Sequence, residues 1–578
     1  MEGMKLKMEK SKIQNILFVL TLILVSIAMF YFIGKKEGYH EDEIFSYGSS
    51  NYKHDNVFQA ASDRDSINRT LDELVYKDNL IDTIKSAKYY LIDHFDVFCA
   101  SYGEKIATDK PIWKTPEDAK AYLTVSKDEI FNYWPVLFNQ GRDVHPPLFY
   151  MLVHFVSSIF LNTFSKYIIF IINLLFFIGI CIVIRKIMQL YNKDYLTIPA
   201  ILLYGLSMGA VSTVILLRMY SMLTFFCILY LYINLKIVKN DFKINKKLSK
   251  ELVITTILGF LTQYYFCVFA FIIFLIMITR MITLKYKKEG VKYFLKHAKS
   301  ALIGMLIFLP CIYHIFFSYR RPGNFDSGSY FEKLKVFLEI IFNSYSIPTV
   351  VAYTLAATSI IYVITNIIIK KKKKEKNNIF EICIIALPVI LYVLIIAKIT
   401  PIINEKYMIR YVMPILPLIA ICVILLLENI LNKTIRQKEK IKITIIYIIV
   451  IAISIIGFFT NEPKYLYKGY SKYIQIARAY KDLDYIYVCD NAFTYLNSLP
   501  EFLIYNKTMI LNSNHDDLSI LGADEQLQSQ DEFILTIKKW MNVDATLNNV
   551  LKASGFSNYE VLLNQEDDTE SIIYLVSR

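Results

Sequence analysis

Long stretches of this chain are apolar on every side, broken at intervals by short polar segments. The apolar runs are too long for buried strands and do not alternate. They read as helices that can cross a bilayer, which needs about 20 mostly apolar residues per helix. Strands of a membrane barrel would alternate apolar and polar positions instead. The first run, Ile13 to Gly34, lacks a small-residue cleavage site and follows a segment carrying Glu2 and Glu9 as well as lysines. It reads as a retained first span rather than a leader.

Basic residues cluster in the short loops between runs, at Arg185 to Lys193, Lys236 to Lys250, Lys285 to Lys299, Lys370 to Lys376 and Lys433 to Lys442. The rule that cytoplasmic loops carry the excess of Lys and Arg puts these five, and the basic N-terminus, in the cytosol. The first loop, Lys35 to Val144, then lies outside, with amphipathic stretches such as Leu80 to His94 along the membrane surface. Parity requires an odd number of crossings between that loop and Arg185. His145 to Leu161, which opens His-Pro-Pro, is therefore expected to be interfacial or re-entrant, and Tyr167 to Ile184 a true span. Outward spans follow at Ile198–Leu217, Leu252–Tyr264, Ala301–Phe317, Ile379–Ile399 and Ile443–Phe459. Inward spans are Tyr220–Ile237, Phe266–Ile282, Ile347–Ile369 and Val412–Leu427. The expected fold class is an α-helical polytopic membrane protein with about eleven crossings, N-terminus inside and C-terminus outside.

Composition sharpens this. Of 578 residues, 55% are hydrophobic and 15% aromatic, and the formal charge is +13. The stretch from Asn461 carries about −7, so the remainder carries about +20, placed in short loops. That placement fits orientation in a membrane rather than nucleic-acid binding, which is excluded as a partner. The division expected is residues 1–460 as a transmembrane domain, including the outer loop 35–145, and 461–578 as a small extracytoplasmic α/β domain with strands near Tyr485–Val488 and Ile572–Val576. The eight cysteines show no CxxC; all but Cys99 and Cys489 lie in apolar runs, where a thiol acts as a small hydrophobe.

Under this topology the notable polar groups fall at the outer ends of different spans. They are His40 to Glu43, Arg142 to Pro147, Arg218-Met219-Tyr220, Gln263-Tyr264-Tyr265, Ser318 to Arg321 and Glu405 to Tyr411. Carboxylates beside several arginines and tyrosines at one membrane face suit a phosphate-bearing lipid and a hydroxyl acceptor. A carboxylate can take the proton of an attacking hydroxyl, and cations stabilise the charge that develops on a leaving phosphate. Arginine serves that role with a planar fork of donors.

An acidic pair after the first span, an HPP motif closing the first outer loop, Arg-x-Tyr after a later span and Arg-Tyr-x-x-Pro-x-x-Pro entering a late one occur here in order. In this the chain resembles the protein O-mannosyltransferase-like family. These are polyprenyl-phosphate-dependent glycosyltransferases of the GT-C fold, which also include lipid A aminoarabinose transferase. The resemblance covers roughly residues 10 to 460; its motifs are individually weak and specific mainly in their order. It implies a GT-C fold with eleven spans and a transfer of sugar from a polyprenyl-phosphate donor. It also implies that Asp42 is the catalytic base, with Glu43 beside it. Gln263 stands where many bacterial relatives have His, which speaks against an imidazole-dependent role there. No doubled tryptophan exists among Trp113, Trp134 and Trp540, so the oligosaccharyltransferase branch does not fit.

Each candidate has a plainer reading. Asp42 and Glu43 can be solvated loop charges, and Glu41 is expected to be one. His145 can simply cap a helix whose Pro146 and Pro147 suit the first turn; His154 reads as a packing residue. Arg218, Arg320, Lys406 and Arg410 can be interfacial anchors, and Tyr264 and Tyr265 members of the aromatic belt. The expectation is an inverting glycosyltransferase with Asp42 and Glu43 catalytic. His145, Arg218, Tyr220, Tyr264, Tyr265, Arg320, Lys406 and Arg410 are expected to bind substrate. Partners are membrane lipid, a polyprenyl-phosphate sugar and an acceptor that is protein, lipid or glycan. No cofactor is expected, and no metal ligand set is evident, though a divalent metal is not excluded. The alternative is a transporter or flippase of lipid-linked sugars, which would favour internal repeats and broken or charged helices at mid-membrane.

Overall fold

The computed structural model describes residues 2–51, 71–104, 111–311, 329–346, 378–400, 405–434, 439–490, 494–514, 516–564 and 570–578. The chain divides into two compact units. The first comprises Met1–Lys35, Val144–Phe149 and Ile169–Tyr465; the second comprises Lys36–Asp143, Tyr150–Ile168 and Leu466–Arg578.

The first unit is helical. Six described helices are long and apolar enough to cross a bilayer: Lys12–Lys35, Lys166–Leu190 (which begins in the second unit), Tyr220–Lys239, Tyr265–Thr283, Met408–Asn432 and Glu439–Thr460. This is a multi-pass membrane protein. The expected span Ile198–Leu217 is not one straight helix. Asp194–Gly205 and Met208–Ile215 meet at 65°. Ser207 causes the break: its side chain accepts the N–H of Ala210 at 3.2 Å and starts a new helix, a local bond that competes with helix continuation. Gly205, next to the break, lets the chain approach the first span, since a Cβ there would stand 2.9 Å from Cγ1 of Val25. Of the expected spans, Leu252–Tyr264 falls mostly in a 17-residue helix, Lys246–Thr262, which ends before Gln263. Ile379–Ile399 falls in Asn378–Ile399, which holds Pro388. Ala301–Phe317 is described only to residue 311, and Ile347–Ile369 lies outside the described residues.

The second unit is built on a six-stranded sheet in the order β1-β3-β2-β4-β6-β5. The strands are β1 (Trp113–Lys114), β2 (Tyr485–Cys489), β3 (Thr508–Asn512), β4 (Glu532–Lys538), β5 (Asn558–Leu563) and β6 (Ser571–Ser577). β3, β2 and β4 run parallel, and the remaining pairings are antiparallel. Every residue of β2 and β3 is buried, as expected when both faces of a parallel sheet are covered. One face packs Ile486, Val488, Met509, Leu535 and Val576 against Leu547 and Val550 of the helix Val543–Ser554. The other turns aromatic, with Tyr485 stacked on Tyr505 at 4.3 Å and edge-on to Phe502. The tail is thus α/β, but its sheet is completed from the first loop. β1 pairs Trp113 with Met509, and the Trp113 indole donates to Asp524 at 3.0 Å.

The helix Glu41–Asn51 lies in this unit and packs on the helices Pro116–Leu123 and Trp134–Arg142 and on the turn Leu496–Ser498. Gly48 admits the Tyr122 ring, whose Cζ would lie only 1.9 Å from a Cβ at that position. Asn51 donates to the Leu123 carbonyl at 2.9 Å and Asn139 to the Ser49 carbonyl at 3.3 Å. The HPP segment leads into Leu148–Ile159, a helix of 12 residues, shorter than the roughly 20 residues a straight crossing needs. His154 in it is a packing residue: its Nδ1 lies 2.8 Å from the Ser50 carbonyl.

Candidate functional site

In the second unit the acidic run forms the first turn of Glu41–Asn51, where carboxylates are favoured by the exposed N–H groups and the helix dipole. The three carboxylates have different surroundings. Glu43 is buried, and its Oε2 lies 3.0 Å from Lys36 Nζ with both side chains wholly inaccessible. The same oxygen accepts the His40 N–H at 2.8 Å, while Glu43 N donates to the His40 carbonyl at 2.9 Å. Glu43 therefore ties the turn together from within. Lys36 also lies 4.8 Å from the Tyr467 ring centroid.

Asp42 keeps 37% of its side chain exposed. His40 flanks it: the Asp42 N–H donates to His40 Nδ1 at 2.9 Å, and the carboxylate lies 3.8 Å from the same ring. With Nδ1 accepting, the ring proton sits on Nε2, which faces Glu41 Oε2 at 3.4 Å. Glu41 is not the solvated charge expected from sequence. Its side chain is 21% exposed, and burial, with Glu570 nearby, raises its pKa to about 7 against the opposing pull of Lys538. No local pattern in the sequence marks Glu41, because Lys538 and Glu570 are some 500 residues away.

In the first unit, Arg218 follows the second half of the broken helix and is 2% exposed. Its placement is set by Asn173, whose amide donates to the Val214 carbonyl at 3.1 Å and the Leu216 carbonyl at 2.7 Å. Those carbonyls sit at a helix end, where the chain itself supplies no donor. Arg218 N then donates to Leu216 O at 2.7 Å, and the guanidinium Nη2 lies 3.3 Å from His145 Nε2. The structure thus joins two residues read separately from sequence, and adds Asn173, which apolar surroundings concealed.

Tyr220, 4% exposed, opens the next helix. Tyr265 lies edge-on to Tyr411 with centroids 5.3 Å apart, and the Arg410 guanidinium lies 5.3 Å from the Tyr411 ring. Tyr220, Tyr411 and Arg410 are all within electrostatic reach of Tyr265. Tyr264 turns elsewhere, packing on Phe260 at 5.6 Å, and its N–H is taken by the Gln263 side chain. Gln263 thus closes a helix end, a task that needs no imidazole. Lys406 lies on the helix Glu405–Val412 one turn before Arg410, but its side chain, like all of Arg320, is outside the described residues.

A cavity of about 590 Å³ opens in the first unit. Gly209 and Ser212 of the broken helix, Asn343, Ser344 and Ile409 are among the residues lining it. Its wall is mixed, with hydroxyls and amides beside aliphatic groups, which suits a ligand with polar and apolar parts. No group of three or more His, Cys, Asp or Glu placed to hold a metal ion occurs among the described residues.

No family model matches the chain, and no curated protein matches it. Among solved structures it is similar to ArnT from Cupriavidus metallidurans bound to undecaprenyl phosphate, at 10% identity and a TM-score of 0.48 over 96% of this chain and 97% of that one. It is also similar to ArnT from Cupriavidus metallidurans in the apo state, at 11% identity and a TM-score of 0.45 over 74% of this chain and 87% of that one.

Proposed function

We propose that the protein is an integral membrane glycosyltransferase of GT-C type. It would move a sugar from a polyprenyl-phosphate donor to an acceptor hydroxyl outside the cytoplasm, with inversion and with eleven spans. The observation that carries the reading is Arg218. A buried arginine just past the end of an apolar helix is costly, and such residues in membrane proteins ordinarily serve a substrate or ion. Here Asn173 and His145 set its position.

In the proposed reaction the acceptor oxygen attacks the anomeric carbon on the face opposite the phosphate. Its proton passes to the Asp42 carboxylate, which is open to solvent. The bond from the anomeric carbon to the phosphate oxygen breaks, and polyprenyl phosphate leaves with the electron pair. Arg218, Lys406 and Arg410 stabilise the charge on that phosphate, while His145, Tyr220 and Tyr265 complete the donor contacts. Tyr264 and Arg320 belong to the anchoring belt on this reading. Side-chain cations suffice for a single phosphate, so no metal or other cofactor is invoked.

The broken helix favours a second reading, since interrupted helices are a hallmark of transporters. Translocation of a lipid-linked sugar would use the same break without chemistry. The two separate cleanly in vesicles containing the purified protein, a labelled polyprenyl-phosphate sugar and membrane-derived acceptor. Release of free polyprenyl phosphate with label in the acceptor supports transfer. Movement of intact sugar lipid between leaflets without release replaces transfer with transport.

A further inference from the structure

The parallel part of the sheet reverses direction at β2: the chain passes from β2 to β3 on one side, then to β4 on the other. The gap between the carboxyl ends of β2 and β4 is therefore a topological switch point, the place where open α/β sheets offer a crevice for ligands. Asp490 follows β2 there, Lys538 ends β4, and the pairing of Lys538 with Ser571 brings Glu570 to the same edge.

These groups are organised beyond what the sheet requires. Lys538 is 1% exposed, with Nζ 3.5 Å from Glu570 and 3.3 Å from the Asn497 side-chain oxygen Oδ1. The Asn497 amide donates to Glu570 at 3.1 Å and to the Tyr470 hydroxyl at 3.4 Å. The Trp540 indole N–H donates to Asp490 Oδ2 at 3.0 Å, which fixes the ring. Lys538 lies 4.9 Å from the ring centroid, yet the ring is 50% exposed, so its remaining face is open. Oδ1 of Asp490 is buried, so the carboxylate serves to hold the Trp540 ring rather than to meet solvent. Glu41 and Glu570 keep 21% and 25% of their side chains accessible and feel Lys538 and each other.

We propose that this edge is a binding site for a neutral, hydroxyl-rich saccharide, the ring stacking on Trp540 and its hydroxyls donating to Glu570 and Glu41. A fixed aromatic face suits the C–H face of a sugar ring, and carboxylate oxygens are strong acceptors for hydroxyls. Lys538, buried behind them, keeps the carboxylates from repelling each other without itself reaching solvent. The site needs no transfer chemistry; assigning its ligand as the acceptor rests on the proposed function.

The test is binding of maltotriose, mannotriose and chitotriose to the full-length protein in nanodiscs, without donor lipid, read by isothermal titration calorimetry. The expected result is saturable binding of at least one of the three, abolished in Trp540→Ala and weakened about tenfold or more in Glu570→Gln, as loss of a charge-assisted hydrogen bond implies. No saturable binding of any of them, or binding of parent affinity in Trp540→Ala, would overturn the proposal. Since no donor is present, failure of transfer elsewhere leaves this readout untouched.

Discussion

Replacing Lys36 by Met removes the cation from a carboxylate 3.0 Å away in a site where neither side chain meets water. At that distance the attraction is about 5–6 kcal/mol at an effective dielectric constant of 20, before desolvation is counted. Desolvation consumes most of it, so the pair as a whole contributes little. Removing one partner, however, leaves the other buried and uncompensated, which costs about 3–5 kcal/mol. The second unit holds roughly 240 residues, and a unit of that size loses about 2–4 °C per kcal/mol, so the expected fall is roughly 6–20 °C. Lys36→Met combined with Glu43→Gln should fall less than Lys36→Met alone, because the neutral amide needs no counter-ion and can still accept the His40 N–H. The assay is thermal unfolding of the purified variants by near-ultraviolet circular dichroism. Losses that simply add in the double variant would show no coupling and refute the assignment of Glu43 as the internal brace of the Asp42 turn.

Other consequences are as specific. Burial raises the Glu501 pKa from 4.5 to about 8, although Tyr485 donates to it at 3.2 Å. Below pH 4.5 the group is protonated whether folded or not. Between pH 4.5 and 8 the unfolded state gains from ionising, and above 8 the penalty is complete. Glu501→Gln should therefore match the parent near pH 4 and melt higher at pH 9, and equal melting at both values would contradict the shift. Arg218→Lys keeps the charge but loses the planar fork, so transfer should fall about 100-fold at normal protein level; an unchanged rate would remove Arg218 from phosphate stabilisation. Asn173→Leu strips two carbonyls of their donor and should cost about 1–3 kcal/mol and lower transfer with it, whereas a rate retained after that loss of stability would show that Arg218 does not depend on the brace.

Much of the membrane architecture was legible because burial in lipid imposes a local signal, a run of apolar residues. Lys166–Leu190 and Tyr220–Lys239 follow their runs closely. The break at Ser207 was not legible, since a serine within an apolar run reads equally as an unbroken helix; its capping bond to Ala210 settles the matter only in three dimensions. The acidic turn was legible as a feature but not in its division of labour. Glu43 meets Lys36 seven positions back, and Glu41 meets Lys538 and Glu570 far along the chain, so neighbouring carboxylates of one motif receive different tasks. Trp113, a lone aromatic in a polar loop, gave no sign that it would join a sheet with Met509. Arg218 and His145 were each visible, and their pairing at 3.3 Å came from the fold.

Asp42→Asn is the most direct probe of the mechanism, because it removes the proposed base while sparing the size and the helix turn. In vesicles given a labelled polyprenyl-phosphate sugar and acceptor, transfer should fall about 100-fold or more, with protein level and melting temperature unchanged. Transfer at the parent rate in that variant would contradict the account.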